Sequence, residues 1–297
     1  MARIVTITAN PLLDQLAHVA IEPGKSVRVP AIGFVAGGKG INVARVLARH
    51  GHEVSALGFA GGVTGTLYTE LVEADGIEAD FTATRARLRI GWIAVDPDRG
   101  GSTAVLEGGF AVRAGESAEL LRRLRHRLSD ADLVLASGSV PDPSCNELYR
   151  LIATACHRAG VPFWLDAYGE AMERALDGPH PPSLVKPNRQ EYGRGGRSWA
   201  QPAELHLSDG AAEVRVRTPG GRFRVVPPPV REVNPVGSGD CYLAALAHAR
   251  LGGADLPAQL RYAAAAGAAN AARADIARIG PEDITALESA VQVVPAG

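Results

Sequence analysis

With 297 residues, 46% hydrophobic and 21% charged, the chain has the size and composition of an ordinary globular protein with a sizeable core. Its 31 Lys and Arg against 32 Asp and Glu leave a net charge of −1, which argues against nucleic-acid binding, since phosphate-backbone contacts need a basic surplus. Three cysteines without CxxC spacing, no basic leader and no apolar run of about 18 residues point to a reduced, cytoplasmic protein without a membrane span.

Short apolar runs alternate with amphipathic segments, the pattern of βαβ units around a mainly parallel sheet, so the fold class is α/β. Ile4–Thr8 reads as the opening strand. Residues 15–34 and 87–106 break the rhythm. Alternation such as Ile90, Trp92, Ala94, with turns at Pro23-Gly24 and Asp96–Gly101, predicts strands of a small separate sheet. Neither segment would bury both faces alone, so a lid over a site or a subunit surface is expected. From Ile41 to His50, apolar Ile41, Ala44, Leu47 and Ala48 recur at helical spacing, which assigns Arg45 and Arg49 to the polar face. Arg122–Arg127 reads as a solvated helix face. Leu133–Ala136 is a buried strand, and Ser144-Cys-Asn-Glu147 has the form of a capping box before a helix stopped by Gly160. Phe163–Asp166 and Leu184–Val185 are further strands. Gly239–Arg250 and Leu260–Arg273 read as the last long helices, and Pro281 suits the first turn of a terminal one. No repeat or long linker divides the chain, so residues 1–297 read as one domain with the lid inserted.

The most informative stretch is Asn234-Pro-Val-Gly-Ser-Gly-Asp240, directly before a helix. Amides of a Gly-rich turn at a helix N-terminus converge on one spot, where the helix dipole also favours negative charge. A carboxylate there would repel an anion unless it served as a base toward a hydroxyl whose target those amides hold. Asp240 is thus placed for phosphoryl transfer; the competing reading is a plain N-cap aspartate.

Gly33–Gly40 is a second glycine cluster. It misses the P-loop pattern because Gly40 stands where an Mg²⁺-binding hydroxyl is needed. Its glycines still allow close approach of a ligand, with Lys39 and Asn42 on the rim, although surface solvation alone would explain Lys39. Lys186-Pro-Asn-Arg-Gln-Glu191 follows a buried strand, where α/β proteins place ligand contacts. Glu191 could hold Mg²⁺ through water; a helix-start Asn with an acidic first turn explains the stretch equally. No G-x-G-x-x-G follows a strand, no G-x-S-x-G occurs, and the histidines lack ligand spacing. Nicotinamide enzymes, α/β-hydrolases and structural zinc are therefore set aside.

Together these stretches resemble the ribokinase-like, or phosphofructokinase-B, family of carbohydrate kinases over nearly the whole chain. Its first signature corresponds to Ala36-Gly-Gly-Lys-Gly-Ile-Asn42 and its second to Asn234–Asp240. Thr8-Ala-Asn-Pro-Leu-Leu-Asp14, Thr84-Arg85, Ser137-Gly-Ser-Val-Pro141 and Lys186–Glu191 are similar to the hexose-phosphate kinase branch, which includes 1-phosphofructokinase and tagatose-6-phosphate kinase. The resemblance implies a three-layer α/β/α sandwich with a β-sheet lid that pairs two subunits into a homodimer. It implies ATP and Mg²⁺, with a monovalent cation, and a sugar phosphate of the fructose 1-phosphate, fructose 6-phosphate or tagatose 6-phosphate class. On it Asp240 is the general base, and Gly237, Ser238 and Gly239 form the anion hole. Asp14, Gly38 and Asn42 bind sugar hydroxyls, while Arg85, with Lys39 and Ser139, holds the phosphate already on the acceptor. Lys186, Asn188 and Glu191 serve ATP and its Mg²⁺, with Ser208 and Gly210 near the nucleotide.

The chain departs from that pattern in places. Only 16 residues separate Glu191 from Ser208, less than half the usual connection. Glu213 replaces a glycine of the nucleotide turn, a charge that would repel phosphates unless turned outward. The late glycine-rich loop appears as Ala274-Asp-Ile-Ala-Arg278. Arg87 stands where the branch carries Asn, and Val105-Leu-Glu-Gly-Gly109 where it carries an acidic-Asn-Glu-Pro-Gly stretch. Two alternatives follow: a kinase of an unphosphorylated sugar or nucleoside, and a sugar-phosphate-binding sensor that no longer transfers phosphate.

Overall fold

A computed structural model describes residues 1–22, 24–96, 101–194 and 197–296. The chain opens with strands β1 (Arg3–Thr8), β2 (Leu12–His18) and β3 (Gly33–Gly37), then helix α1 (Lys39–Arg49). Next come β4 (Glu53–Gly58), α2 (Gly62–Ala74), β5 (Glu78–Ala79), β6 (Arg89–Val95) and β7 (Ser102–Leu106). The middle alternates through α3 (Ala114–Arg127), β8 (Leu133–Ser137), α4 (Leu148–Ala159), β9 (Phe163–Asp166), α5 (Glu170–Leu176) and β10 (Leu184–Val185). Then follow α6 (Arg189–Arg194), β11 (Glu204–Asp209), β12 (Glu213–Thr218) and β13 (Gly221–Val226). The chain closes with α7 (Ser238–Leu251), α8 (Leu256–Ala271), α9 (Pro281–Glu288) and β14 (Gln292–Ala296).

A large sheet has the order β14-β13-β12-β11-β10-β9-β8-β1-β4-β5. It is parallel from β11 to β5 and antiparallel beyond, through β12, β13 and β14. Two helix groups flank it: α1 packs with α7, α7 with α8 and α8 with α9, while α3, α4 and α5 form the other group. Covered on both faces, β8 can be wholly apolar but for its last residue, and every one of its residues is buried. The result is a mixed α/β fold with helices on both sides of a central sheet.

The small sheet has the order β3-β2-β6-β7, with β2 parallel to β6. Its strands differ in extent from the expected segments. The first begins at Leu12, and the described residues between His18 and Gly33 carry no strand. Pro23 and Pro30 lack the N–H that a ladder needs. The expected turns at Pro23-Gly24 and Asp96–Gly101 include positions outside the described residues.

Three local expectations are corrected. Asp142, not Ser144, caps the turn before α4: its carboxylate accepts the Ser144 amide at 2.7 Å, because Pro143 preorganises the first turn one residue earlier. Ser144 Oγ instead donates to the Val112 carbonyl, and Glu147 pairs with Arg150 and Arg174. Helix α8 begins at Leu256, where Asp255 Oδ1 accepts the Ala258 amide at 2.8 Å. Arg45 is buried, not on a solvated face. The shortened connection from β10 to β11 consists of α6 and one 3₁₀ turn, Arg197–Ala200, whose Trp199 stacks on Tyr192 at 5.4 Å.

Candidate active site

A cavity of about 1000 Å³ opens where β1, β8, β9, β10 and β11 end at their carboxyl termini, the usual ligand position of an open parallel sheet. Asp14, Gly38, Lys39, Asn42 and Ser139 line it, as do Lys186, Asn188, Glu191, Ser208, Gly210 and the turn Gly237–Asp240. Arg85 does not. It is exposed, and its amide donates to Glu116 Oε1.

Asp240 sits in the first turn of α7, buried, and its Oδ2 accepts from Asn42 Nδ2 at 2.8 Å. Burial pushes its carboxyl up to about 6; Asp166 adds to this, while Lys39, the Asn42 bond and Lys186 oppose it. Gly237 adopts φ +85° at the helix start. In the turn, the Ser238 amide is bound to the Pro235 carbonyl and the Asp240 amide to the Gly237 carbonyl. Among the described residues, the amides of Gly237 and Gly239 have no such partner, so these two are open to the cavity.

Asp166, at the end of β9, holds the cationic groups. Its Oδ1 lies 3.3 Å from Lys39 Nζ and its Oδ2 lies 3.1 Å from Lys186 Nζ. Burial would raise its carboxyl, but Lys186 and Lys39 outweigh that and hold it below the usual range. Lys39 is no solvated surface lysine. Burial disfavours its charge, yet Asp166, Asp240 and Glu191 together keep its ammonium protonated well above the ordinary lysine range. Asp166 escaped sequence reading; its signal was a carboxylate at the carboxyl end of a buried strand.

Asn188 and Glu191 form the expected helix start with an acidic first turn. The Asn188 amide donates to Glu191 Oε2, and the Glu191 amide donates to Asn188 Oδ1, each at 2.9 Å, a reciprocal cap on α6. Both still line the cavity, and Glu191 Oε1 reaches within 3.5 Å of Lys39 Nζ. Glu213 turns outward, pairing with Arg215 at 2.5 Å and Arg224 at 3.8 Å. Its charge is matched by these two arginines, and it is not among the cavity-lining residues around Ser208 and Gly210. The cavity wall is apolar there, with Val226, Pro227, Pro228, Ala264, Ala268 and Ile276.

On the small-sheet side, Asp14 of β2 lies opposite Gly91 of β6 and against Gly37. A Cβ at Gly37 or Gly91 would stand 1.9 or 2.2 Å from its carboxylate, so only glycine fits. Burial pushes Asp14 up to about 7, against the opposing charges of Arg89 and Arg45. Arg89 is a second residue the sequence did not single out. It lines the cavity, pinned by the carbonyls of Asn10, Pro11 and Glu107 at 2.9, 3.2 and 3.0 Å. Arg87 forms a bidentate pair with Glu107 on the exposed edge, so its charge is matched away from the cavity. Asn10 Nδ2 donates to Ser139 Oγ at 3.0 Å, leaving that hydroxyl free to donate to a ligand.

The sequence pattern of the pfkB family carbohydrate kinases matches residues 5–278. The chain belongs to the pfkB family of carbohydrate kinases. A "possible 1-phosphofructokinase" from Thermotoga maritima shares its fold at TM-score 0.87 and 24% identity, with 99% of this chain and 100% of that one covered. Phosphofructokinase-2 from Escherichia coli, solved with substrates and products, is similar at TM-score 0.85 and 27% identity over 97% and 98%. The same enzyme solved with potassium is similar at TM-score 0.87 and 25% identity over 97% and 99%. The ribokinase-like fold and the phosphotransferase class, with a sugar hydroxyl as acceptor, follow for this pfkB-family chain.

Proposed function

We propose that the protein transfers the γ-phosphoryl group of ATP to a hydroxyl of a phosphorylated ketohexose, with Asp240 as general base. The observation that carries this is a buried carboxylate with raised proton affinity, in the same helix turn as two open amides and beside Lys186. Asp240 takes the hydroxyl proton, the freed oxygen bonds the γ-phosphorus, the bond from that phosphorus to the β–γ bridging oxygen breaks, and ADP leaves. The amides of Gly237 and Gly239 and the Lys186 ammonium hold the charge that develops on the transferring group.

Among the described residues no three His, Cys, Asp or Glu side chains are grouped to hold a metal. Mg²⁺ keeps waters and phosphate oxygens and needs only one or two carboxylates; Glu191, through water, and Asp166, both lining the cavity, would supply them. Bound with ATP, Mg²⁺ would neutralise the β- and γ-phosphate oxygens. Asn188, Ser208 and Gly210 would serve the nucleotide. A monovalent cation is supported by the Escherichia coli phosphofructokinase-2 solved with potassium; the resemblance would put it beside the Ala274–Arg278 loop.

Asp14, Gly38 and Asn42 would bind sugar hydroxyls. The cavity offers the acceptor's own phosphate a fixed guanidinium at Arg89, with Lys39 and Ser139; the resemblance offers it Arg85. A fixed cation favours a phosphorylated acceptor over a neutral sugar or nucleoside. The pairing of base and anion hole favours a kinase over a sensor. Phe34 and Val105, exposed on the small sheet, support a homodimer formed through that lid, which light scattering tests. Three free, buried thiols suit the reducing cytoplasm, and no described helix is long and apolar enough to cross a membrane.

ADP release is measured with Mg·ATP against fructose 1-phosphate, fructose 6-phosphate, tagatose 6-phosphate, fructose and ribose. Turnover of one phosphorylated ketose, lost in Asp240→Asn, is expected. Turnover of neutral sugars alone, or wild-type rates in the variant, would overturn the proposal.

A further inference from the structure

Helix α1 carries an arginine on its buried face. Arg45 is 1% exposed, although amphipathic spacing puts it opposite the apolar residues. Its fork is engaged on three sides. Nε donates to Asp75 Oδ2 at 2.7 Å, Nη2 to the Ala36 carbonyl at 2.8 Å, and Nη1 to Asn42 Oδ1 at 3.1 Å. Asn42 lies one turn earlier, and its Nδ2 is the donor to Asp240 Oδ2. Asp75, Arg45, Asn42 and Asp240 thus form a line from the half-buried end of α2 to the reacting centre.

A side-chain amide carries a donor on one arm and an acceptor on the other. Toward a carboxylate the two are opposite in effect: the N–H attracts and the oxygen repels. A guanidinium has only donors, so Arg45 is satisfied by Oδ1 alone and leaves Nδ2 facing Asp240. Asp75 and the Ala36 carbonyl fix the guanidinium plane. A lysine would supply the charge without three divergent donors on a rigid plane.

We propose that Arg45 is a positioning residue for phosphoryl transfer, holding the Asn42 amide in the orientation that donates to Asp240. This rests on the reading of Asp240 as the base. Asp240 is faced by Asn42 and Lys39 from α1, by Asp166 from β9 and by Lys186 from the end of β10. Asp275 and Arg45 act on the neighbouring Cys241, and Arg45 also acts on Asp14. Losing the oriented Asn42 N–H removes one of the groups that favour ionised Asp240, so the base then ionises at higher pH.

The test is a double-mutant cycle of Arg45→Lys and Asn42→Ala, read as kcat and kcat/KM from about pH 5 to about pH 9 with the ketose phosphate that the wild type turns over. Arg45→Lys is expected to lower kcat by about 10- to 100-fold and to move the acid limb of the profile to higher pH. In the Asn42→Ala background it should add nothing further. Additive losses, or a lowered rate with an unmoved acid limb, would show a merely structural arginine and overturn the proposal. If circular dichroism shows that Arg45→Lys does not fold, Asp75→Ala carries the same cycle. It removes the acceptor of Nε, and a smaller shift in the same direction, absent in the Asn42→Ala background, is expected; no shift overturns the proposal. Wild-type turnover in Asp240→Asn is a separate outcome that removes the base itself.

Discussion

The Lys186 ammonium stands 2.9 Å from the point that a Cβ on Gly239 would occupy. A strand-end lysine and the first turn of α7 are thus close enough for both to act on one phosphoryl group. Gly239→Ala displaces the flexible end of the lysine and leaves the backbone in place. Alanine also favours the helix, by up to about 1 kcal/mol. The expected outcome is at least a roughly tenfold lower kcat with an unchanged or raised Tm, from ADP release and thermal melting on one preparation.

As the proposed base, Asp240 must be ionised to act, so activity should rise through about pH 6 and level off above it. The effect on stability has the opposite sign. A carboxyl raised from 3.8 to about 6 in the fold is penalised when ionised, so it costs stability above about pH 6 and costs none below 3.8. Asp240→Asn should therefore raise Tm near pH 8, and raise it much less near pH 4, while lowering kcat by about 10²–10⁴-fold.

In its proposed role Asp14 would accept sugar hydroxyls best as a carboxylate, and burial holds it protonated up to about pH 7. Calorimetry with a ketose phosphate, without nucleotide, should show affinity rising as pH passes through 7. Gly91→Ala would put a Cβ 2.2 Å from Asp14 Oδ1 and push the carboxylate aside. It should raise the sugar KM about tenfold or more and spare ATP affinity.

Arg89→Ala should raise KM for the phosphorylated ketose by about tenfold or more and change KM for fructose little, since a lost ionic hydrogen bond matters only to the substrate that makes it. Equal losses on both sugars would mean that the arginine only props up the small sheet. The same comparison on Arg85→Ala assigns that residue.

Far from the cavity, His52 Nε2 and His248 Nδ1 share a hydrogen bond of 2.9 Å, and His50 Nε2 meets the Tyr262 hydroxyl at 2.8 Å. Burial lowers His248 from 6.5 to about 4, with His50 and His52 adding to the shift. The unfolded chain therefore takes up a proton first, and stability should fall as pH drops from 6.5 toward 4. His248→Gln should flatten that part of the Tm profile.

The glycine turns were legible because their chemistry is contiguous: a loop, its amides and the carboxylate of Asp240 lie within seven residues. The order of the βαβ units was legible for the same local reason. Arg45 was misread because helical spacing records only which face is apolar, and its anchor Asp75 lies 30 positions away. Asp166 gains its role from Lys39, 127 positions distant. Which arginine meets the cavity is decided by the parallel pairing of β2 with β6, where Arg89 lies opposite Leu12, and no spacing within residues 84–89 shows that pairing.

Asp14 and Arg89 reach the cavity from the four-stranded sheet, whereas Asp240 and Lys186 belong to the ten-stranded body. A molecule gripped by both is a removable cross-link between two cooperative units. Its concentration then sets how often the smaller sheet opens. At a hundredfold excess over Kd, opening becomes roughly 100-fold rarer, about 2.7 kcal/mol, and amide exchange in β2 and β6 should slow by that factor.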